Sequence, residues 1–314
     1  MLEFKFKDVD DNEIILNNPI YIVINQDEKI PADDLSVTFP LLKDIGELCE
    51  VEVFDDDKIV FKGVVDEQQN VLSDTLYFTK INARSMAANL LDNESRPVNY
   101  TDVSTSVIFS RHILPNAIKS FRGDNITYKG NLNISKGTTD WQAFYTFAQK
   151  AYNKTPRITA EGIADFNGIN SEETLTFSNS NGIKYSSLKE NKKRCKLISD
   201  VYMKTKQSGG YDAVIRKDSI ISRKINRRRY VDISVSRNFS LPEVIINNSI
   251  GNSYEVTIIT PERILEKLGA KVRIEDGGLG VIDGLYISSI YYRLTPDTEE
   301  TTLILKKERE YVDS

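Results

Sequence analysis

The residues best suited to chemistry are few and widely spaced. His112 is the only histidine of the chain, so a histidine-based catalytic triad has one possible base. It follows Ile108 by one helical turn, which predicts a partly buried or surface histidine on a helix. Serine-nucleophile motifs and phosphate-binding glycine-rich loops are absent from the sequence. We therefore predict no catalytic residue and no cofactor-binding residue.

Acidic turns are the next candidates, because carboxylates bind divalent cations. The turn that begins at Asp8 resembles the opening of a calcium loop. However, Glu13 stands where such a loop needs glycine, and Pro19 stands where it needs a bidentate glutamate. The aspartates at 55–57 form a second acidic turn, and the two cysteines lie outside any metal-ligand spacing. We interpret both turns as solvated connections between strands and expect no metal site.

A basic cluster is the strongest local charge feature of the sequence. Its members are Arg223, Lys224, Arg227, Arg228 and Arg229. One interpretation is a polyanion site. The simpler interpretation is a solvated loop, or a strand edge that charge protects from pairing. If the cluster has a partner, an acidic protein surface fits it.

The chain as a whole is mildly acidic. Its 314 residues include 41 Lys and Arg against 46 Asp and Glu, a formal net charge of −5. This balance argues against stable nucleic-acid binding, which needs a net basic surface. No apolar run approaches the ~18 residues of a membrane-spanning helix, and the first residues alternate as a strand, unlike a signal peptide. We expect a protein that is made in the cytoplasm and does not insert into membranes.

The elements that position these residues fall into three predicted domains. Residues 1–83 contain seven short alternating segments separated by turn-forming residues, which predicts a small antiparallel barrel or sandwich. Residues 84–182 change to a helical period and then return to short strands, which is typical of a compact α+β domain. Residues 183–314 are again mostly β, with short helical insertions. The predicted class is therefore α+β, mainly β.

Three helices are predicted from specific signals. The segment 101–114 has helical spacing and ends before Pro115. Thr139 and Gln142 form a capping box at the start of an apolar stripe. Thr260 followed by proline predicts the start of a third helix, which ends at Gly269.

One strand pattern occurs twice, 221 positions apart. Each copy has alternating apolar residues, an acidic turn and then a strand that contains glycine. The corresponding residues are Val51, Val53, Asp55 and Gly63 in the first copy, and Val272, Ile274, Asp276 and Gly284 in the second. This repeat predicts two small β domains of one design, and a molecule built in this way is suited to assembly.

Several segments, taken in order, resemble the baseplate hub proteins of contractile phage tails and phage-tail-like bacteriocins, which are related to the hub part of type VI secretion spike proteins. These segments are residues 30–40, 60–68, 83–85, 90–97 and 261–272. Each motif is short and degenerate, so the specificity lies in their order along nearly the whole chain.

The resemblance implies two tube-like β-barrels, at 1–83 and 183–314, which flank the middle domain. It also implies a homotrimer, in which six similar barrels match a hexameric tail tube on one side and a threefold central spike on the other. Tape-measure and other baseplate proteins are further implied partners. Some relatives carry a hydrolase or spike extension. Because this chain stops at Ser314, we expect a separate protein to supply any lytic or piercing role.

The leading hypothesis is a non-enzymatic structural hub, a trimeric adaptor made in the bacterial cytoplasm and assembled into a phage tail or tail-like particle. A peptidoglycan- or glycan-acting tail enzyme is an alternative from a different class, with acidic turns and aromatic residues forming its cleft. A carbohydrate-binding module without catalysis is a third. The sequence leaves open whether the particle is a phage or a headless bacteriocin.

Overall fold

A computed structural model describes residues 2–40, 45–72, 77–169, 171–207, 209–222, 224–234 and 241–307. Strand makes up 49% and helix 17%, which confirms the α+β, mainly β class. The strands are β1 (Leu2–Asp8), β2 (Glu13–Leu16), β3 (Tyr21–Asp27), β4 (Asp34–Pro40), β5 (Leu48–Asp55), β6 (Lys58–Leu72), β7 (Tyr77–Ser85), β8 (Val98–Ser104), β9 (Phe121–Arg122), β10 (Thr127–Ile134), β11 (Arg157–Ile158), β12 (Ala164–Asp165), β13 (Thr174–Ser178), β14 (Ser187–Lys192), β15 (Asp200–Lys204), β16 (Ala213–Arg216), β17 (Arg228–Asp232), β18 (Tyr254–Thr260), β19 (Lys271–Asp276), β20 (Gly280–Leu294) and β21 (Glu299–Lys307).

Five α-helices and three short helical segments complete the described elements. The α-helices are α1 (Ala87–Asp92), α2 (Thr105–Ile108), α3 (Asp140–Tyr152), α4 (Asp218–Ile221) and α5 (Leu241–Gly251). A π-helical segment spans Phe109–Ile113, and 3₁₀ turns span Leu114–Asn116 and Arg194–Lys196.

The first of two compact units comprises Met1–Glu173, Pro261–Ala270 and Ser289–Thr302. Its main sheet has the strand order β20-β3-β4-β7-β6-β5-β1-β2, with antiparallel neighbours throughout. The seven strands predicted in the N-terminal segment are thus present. Alternation along β1 and β4 buries Phe4, Phe6 and Phe39, whose rings pack 5.3–6.5 Å apart.

The predicted barrels are not formed: among the described residues no sheet closes on itself. In the N-terminal segment, closure would require β2 to pair with β3. Both edges of β3 are already occupied, by β4 on one side and by Ser289–Leu294 of β20 on the other. Because a strand has only two hydrogen-bonding edges, the sheet stays open and β2 remains an edge strand.

Helix α3 forms where the capping box predicts it. Thr139 Oγ1 accepts a hydrogen bond from the Gln142 backbone N–H, and the Gln142 side chain accepts one from the Thr139 backbone N–H. The apolar stripe of α3 buries Phe144 and Phe147, which pack edge-on against Phe166 at 4.7 and 5.9 Å. This cluster is the core of the α+β part of the first unit.

The helix predicted over 101–114 is only partly correct. Its first residues belong to β8, which pairs with β10, and helix begins only after Ser104. The Ser104 side chain accepts a hydrogen bond from the Val107 backbone N–H and so caps α2. A π-helical segment follows, and the 3₁₀ turn that contains Pro115 ends at Ala117 in the left-handed conformation.

The second unit comprises Thr174–Thr260, Lys271–Ser288 and Leu303–Ser314. Its sheet has the order β14-β18-β21-β20, β19 pairs with β20, and β13 pairs with β19. Buried side chains such as Val256, Ile258 and Leu305 form its core. The three-domain division of the sequence stays a prediction.

An excursion, residues 193–253, separates β14 from β18. It contains a three-stranded sheet in the order β16-β15-β17, together with α4 and α5. Val201 and Ile246 pack in a small core of their own beneath this sheet. Helix α5 is one of the short helical insertions predicted within residues 183–314.

The helix predicted from Thr260 to Gly269 is wrong. Thr260 ends strand β18, and the residues that follow form a loop. The Ile264 backbone N–H is directed to Thr301 Oγ1 at 3.3 Å, and the Glu266 N–H donates to Gln26 Oε1 at 2.9 Å. Glu266 also has a positive φ of 54°. The side chains of other elements therefore satisfy backbone groups that a helix would have paired internally.

Candidate interaction surfaces

The repeated pattern forms one hairpin in each unit. Strands β5 and β6 form the first hairpin, and β19 and β20 form the second. The side chains of Val51 and Val53 are buried in the first, and those of Val272 and Ile274 are buried in the second. The apolar positions of the two copies therefore point into a core in the same alternating way.

The two glycines of the repeat have different structural roles. Gly63 is buried, and a Cβ atom there would lie 2.1 Å from the Arg84 carbonyl oxygen. Gly284 is exposed with φ +71°, a Cβ atom there would have no heavy atom within 4 Å, and the residue lies with Asp283 in a bulge opposite Arg273. Gly63 thus permits close backbone approach, whereas Gly284 supplies a left-handed conformation.

The two aspartates of the repeat also differ. Asp55 Oδ1 accepts a hydrogen bond from Arg263 Nη1 at 2.6 Å. Asp276 Oδ2 accepts one from the Tyr185 hydroxyl at 2.6 Å, and this bond is the main reason that the pKa of Asp276 is lowered. Burial and the same carboxylate raise the pKa of Tyr185 to about 12. Each aspartate therefore anchors a different segment beside its hairpin.

The basic cluster lies in the excursion, at and before β17. Lys224, Arg227, Arg228 and Arg229 are exposed, and Arg223 lies outside the described residues. Arg227 Nη1 donates to the Arg194 carbonyl at 2.8 Å, and Arg229 Nη1 donates to the Arg228 carbonyl at 3.1 Å. The four described members form no ion pair with a described carboxylate, so their charges face solvent.

A surface that sequence reasoning missed lies beside this cluster. The register aligns Tyr202 of β15 with Val214 of β16 and Tyr230 of β17, so all three project from one face of the small sheet. Tyr202 and Tyr230 stack at 5.3 Å, and Tyr211 meets Tyr230 edge-on at 5.4 Å. We call this surface the tyrosine face. Period-2 alternation around Tyr202 and Tyr230 was its only signal in the sequence.

The acidic turn at Asp8 is a backbone-organising turn. Asp8 Oδ1 accepts hydrogen bonds from the backbone N–H groups of Asp10 and Asn12 at 2.9 and 2.8 Å, and Oδ2 accepts one from Asn12 Nδ2 at 2.9 Å. These bonds, led by those from Asn12, lower the pKa of Asp8. Across the described residues no group of three or more potential ligands is arranged to hold a metal ion.

His112 is fully buried, so the expected partial exposure is wrong. Its Nδ1 lies 3.1 Å from Ser95 Oγ and 3.3 Å from Asp140 Oδ1, and its Nε2 lies 2.9 Å from the Tyr100 hydroxyl. In a hydrolytic triad the nucleophile and the carboxylate contact opposite imidazole nitrogens. Here both contact Nδ1, and Ser95 is itself only 1% exposed. The arrangement is a satisfied polar cluster in the core.

Hydrogen bonds also balance the charge within this cluster. Burial opposes ionisation of Asp140, but hydrogen bonds from His112, Ser95 and Asn116 outweigh it and lower the pKa of the carboxyl. Asn116 Nδ2 donates to Asp140 Oδ2 at 2.9 Å. The cluster therefore joins α3, the π-helical segment and the chain before β8.

The loop 261–270, one of the segments that carries the sequence resemblance, is held by ion pairs within the first unit. Arg263 Nη1 contacts Asp55 at 2.6 Å, and its Nη2 contacts Glu299 at 2.7 Å. Lys267 Nζ contacts Glu173 at 2.6 Å. The loop is thus fixed by charged groups from three separate parts of the chain.

Asp33 is a buried acid of the first unit, and Glu266 is a half-buried acid of this loop. Arg157 Nη2 contacts both carboxylate oxygens of Asp33, at 3.0 and 2.7 Å. Glu266 and Gln26 are hydrogen-bonded to each other through backbone and side-chain groups. Burial, reinforced by the charge of Asp33, raises the pKa of Glu266 to about 7. Burial also raises the pKa of Asp33, against the opposing effect of Arg157.

The raised pKa of Glu266 predicts a pH-dependent stability. Between the unfolded pKa of 4.5 and the folded value of about 7, the folded state binds more protons than the unfolded state. Stability from this group is therefore complete below pH 4.5 and is lost as pH rises through 7, by up to about 3 kcal/mol. We expect Glu266→Gln to gain stability over the parent protein progressively across this window, as measured by urea unfolding at several pH values.

Glu262→Gln is the matched control, because Glu262 is an exposed acid in the same loop. The stability difference between Glu266→Gln and this control should grow as pH rises from about 4.5 to 8. A difference that stays flat over this window would contradict the burial of the Glu266 carboxyl.

No family model matches the chain, and no curated protein matches it. Solved structures do. A tail protein from Neisseria meningitidis aligns with a TM-score of 0.75 at 20% identity, over 98% of this chain and 97% of that one. The 43 kDa tail protein of prophage MuSo2 from Shewanella oneidensis aligns with a TM-score of 0.77 at 14% identity, over 97% and 98%.

The chain has the fold of a phage tail protein. This tail-protein fold extends to secretion systems. An Escherichia coli component of the type VI secretion system, described as structurally similar to the T4 tail proteins gp27 and gp5, aligns with a TM-score of 0.56 at 10% identity, over 93% of this chain and 74% of that one. No helix in the described ranges of this tail-protein fold is long and apolar enough to cross a membrane.

Proposed function

We propose that the protein is a structural baseplate hub of a contractile injection system. In this role a homotrimer joins the hexameric tail tube to the central spike and contacts the tape-measure and other baseplate proteins. It is made in the bacterial cytoplasm and then incorporated into a phage tail or tail-like particle. Its work is geometric, and it neither turns over a substrate nor stably binds nucleic acid.

The proposal rests on the structural alignment with two tail proteins, which spans nearly the whole of this chain and of each neighbour. The alignments cover 97–98% of this chain and of each neighbour. A fold can host unrelated functions, but here the shared fold spans nearly the whole of both aligned chains in each pair. The secretion-system neighbour described as similar to gp27 and gp5 supports a position next to a spike.

The repeated hairpins support the adaptor role. One lies in each unit, and their buried apolar positions alternate alike. Three copies of such a chain would present six related hairpins, which suits contact with a sixfold ring. The buried Ser95 and His112 support a non-enzymatic role, because a nucleophile and its base must reach substrate.

The test is assembly with the proposed partners. The purified chain, analysed by light scattering after gel filtration, should have about three times its mass of 35.7 kDa. Co-expression with tube and spike proteins of the same particle should give a complex in which electron microscopy places this chain between them.

A chain that remains monomeric and joins neither tube nor spike would overturn the proposal. Turnover of peptidoglycan that one carboxylate substitution abolishes would instead favour the enzyme alternative. Binding of peptidoglycan or other glycans without turnover would favour the carbohydrate-binding alternative.

A further inference from the structure

Charge is divided unevenly along the chain. The excursion, residues 193–253, contains 13 Lys and Arg against 5 Asp and Glu, while the rest of the chain contains 28 against 41. A strongly basic segment thus belongs to an otherwise acidic protein. Opposite net charges on two parts of one chain attract between copies, because complementary surfaces steer association.

The tyrosine face gives this basic segment an apolar centre. Helix α5 packs on the opposite side of the small sheet, where Ile246 joins Val201. On the tyrosine face Tyr230 is 56% exposed, Tyr211 41% and Val214 37%. Exposed aromatic residues that share one sheet face are typical of interaction sites.

Arg228 belongs to this face as well. It lies two residues before Tyr230 on β17, so the two side chains project to the same side. It is exposed and forms no ion pair with any described carboxylate. Arginine and tyrosine are the residue types that most often dominate binding energy in protein interfaces.

The ring geometry favours a protein over a nucleic acid. A base-stacking platform needs aromatic rings with free faces. Tyr202 and Tyr230 instead stack on each other at 5.3 Å, and Tyr211 closes on Tyr230 from the side. The rings form a compact patch that suits packing against apolar side chains.

A complementary surface lies at the turn between β1 and β2. Val9 is 62% exposed there, and its backbone N–H donates to the Glu47 carbonyl at 3.2 Å. Asp10, Asp11 and Glu47 surround it, all exposed and without an ion pair to any described basic group. We call this surface the acidic corner.

The Cys49 thiol lies near the acidic corner, and its pKa responds to the negative charges there. Burial raises the pKa of this thiol, and the nearby charges of Glu50, Asp11 and Asp8 raise it further. Among the described residues, the acidic corner therefore pairs an exposed apolar residue with carboxylates that form no ion pair. The tyrosine face pairs exposed apolar residues with Arg228, whose register neighbour Asp200 forms its ion pair with Arg216 instead.

We propose that the tyrosine face of one copy docks on the acidic corner of a second copy of this chain. The inference rests on the self-assembly in the proposed function and names the surfaces responsible. Because the two surfaces are different patches, the contact is heterologous. Such contacts form a closed ring when the rotation between copies closes, and the proposed trimer is a ring of this kind. Tyr230 and Arg228 would contact Val9 and Asp10 of the neighbouring copy.

Two double variants of the full chain test the contact by light scattering. Arg228→Glu with Tyr230→Ala alters the tyrosine face, and Asp10→Lys with Glu47→Lys alters the acidic corner. Each should weaken self-association by about tenfold or more and shift the mass to a single chain. Circular dichroism should show that both remain folded.

Matched controls separate docking from general charge effects. Arg229→Glu changes the adjacent arginine, which the register places on the opposite face beside Val201. Asp57→Lys changes an equally exposed aspartate in another turn. Both controls should keep the parent mass.

Mixing the two double variants is the sharpest test. The variant with an altered tyrosine face keeps an intact acidic corner, and the variant with an altered acidic corner keeps an intact tyrosine face. One chain of each can therefore form a single native contact, but no ring can close. We expect a species of two chains, containing one of each variant. Assembly of both variants like the parent would overturn this inference alone. A parent protein that is itself a single chain would overturn the proposed self-assembly too.

Discussion

Replacement of Arg157 by methionine is expected to lower the free energy of unfolding by about 3–5 kcal/mol near neutral pH. The Arg157 and Asp33 side chains are only 12% and 5% exposed, and they are 2.7 Å apart. Methionine removes the positive charge but fills much of the volume, so it leaves a buried carboxylate without its partner. Urea unfolding followed by the fluorescence of Trp141, the only tryptophan, measures the loss in the first unit.

The cost of this variant should depend on pH in a defined direction. Removing Arg157 takes away the influence that opposes burial, so the pKa of Asp33 rises further above its usual value. In acid the carboxyl is neutral in both states, and the variant should lose least stability there. Burial already raises the pKa of Asp33 above 3.8 in the folded parent, so the extra loss in the variant should begin above that raised value and grow as pH rises further.

A second substitution isolates the cause. Asp33→Asn in the Arg157→Met background removes the unpaired charge and should recover part of the lost stability at neutral pH. Lys267→Met is the control, because it breaks an ion pair with Glu173 whose members are 31% and 42% exposed. That loss should stay below about 1 kcal/mol. Equal losses from Arg157→Met and Lys267→Met would contradict the burial argument.

Local elements were predictable because their signals lie within a few residues of each other. The capping box at Thr139 requires only its own helix start, and α3 forms there. Alternation in the N-terminal segment likewise predicts strands one at a time, and β1 to β7 follow in that order. In both cases the hydrophobic period matches the element and nothing distant competes.

Features set by distant partners were not predictable. The sequence at Thr260 has every local signal of a helix start, but the backbone N–H of Glu266 pairs with Gln26 instead. The prediction of a closed barrel was wrong for a similar reason, because Ser289–Leu294 pairs with the edge of β3 that closure would need. Contacts across more than 200 residues leave no periodic trace in either segment.

The sequence revealed the basic residues near the candidate surface but not its tyrosines. The basic cluster is contiguous, so composition alone revealed it, but composition did not show that Arg228 projects from the tyrosine face. Tyr202, Tyr211 and Tyr230 are spread over 29 residues and meet only through the register of β15 with β17. A sheet register depends on turns and pairing partners, so a reading of single segments could not bring these rings together.

Gly63→Ala is expected to destabilise the first unit by about 3 kcal/mol. The added Cβ would lie 2.1 Å from the Arg84 carbonyl oxygen and 2.9 Å from a ring carbon of Phe61. The carbonyl is backbone in the neighbouring strand, where Val64 pairs with Arg84 and Gly63 with Ser85. Removing the overlap between the added Cβ and this carbonyl therefore requires β6 and β7 to separate, which breaks their pairing. Urea unfolding monitored by circular dichroism gives the loss.

Gly284→Ala, at the matching position of the repeat, should cost only about 1 kcal/mol. Its φ of +71° strains an alanine, but no heavy atom lies within 4 Å of the added carbon. Gly284→Asn should recover part of this loss, because asparagine tolerates the left-handed region, whereas Gly63→Asn should be worse than Gly63→Ala. Equal losses at the two glycines would mean that they share one role. Unequal losses in this order would show that similar sequence patterns in the two hairpins meet different physical demands, one for space and one for backbone conformation.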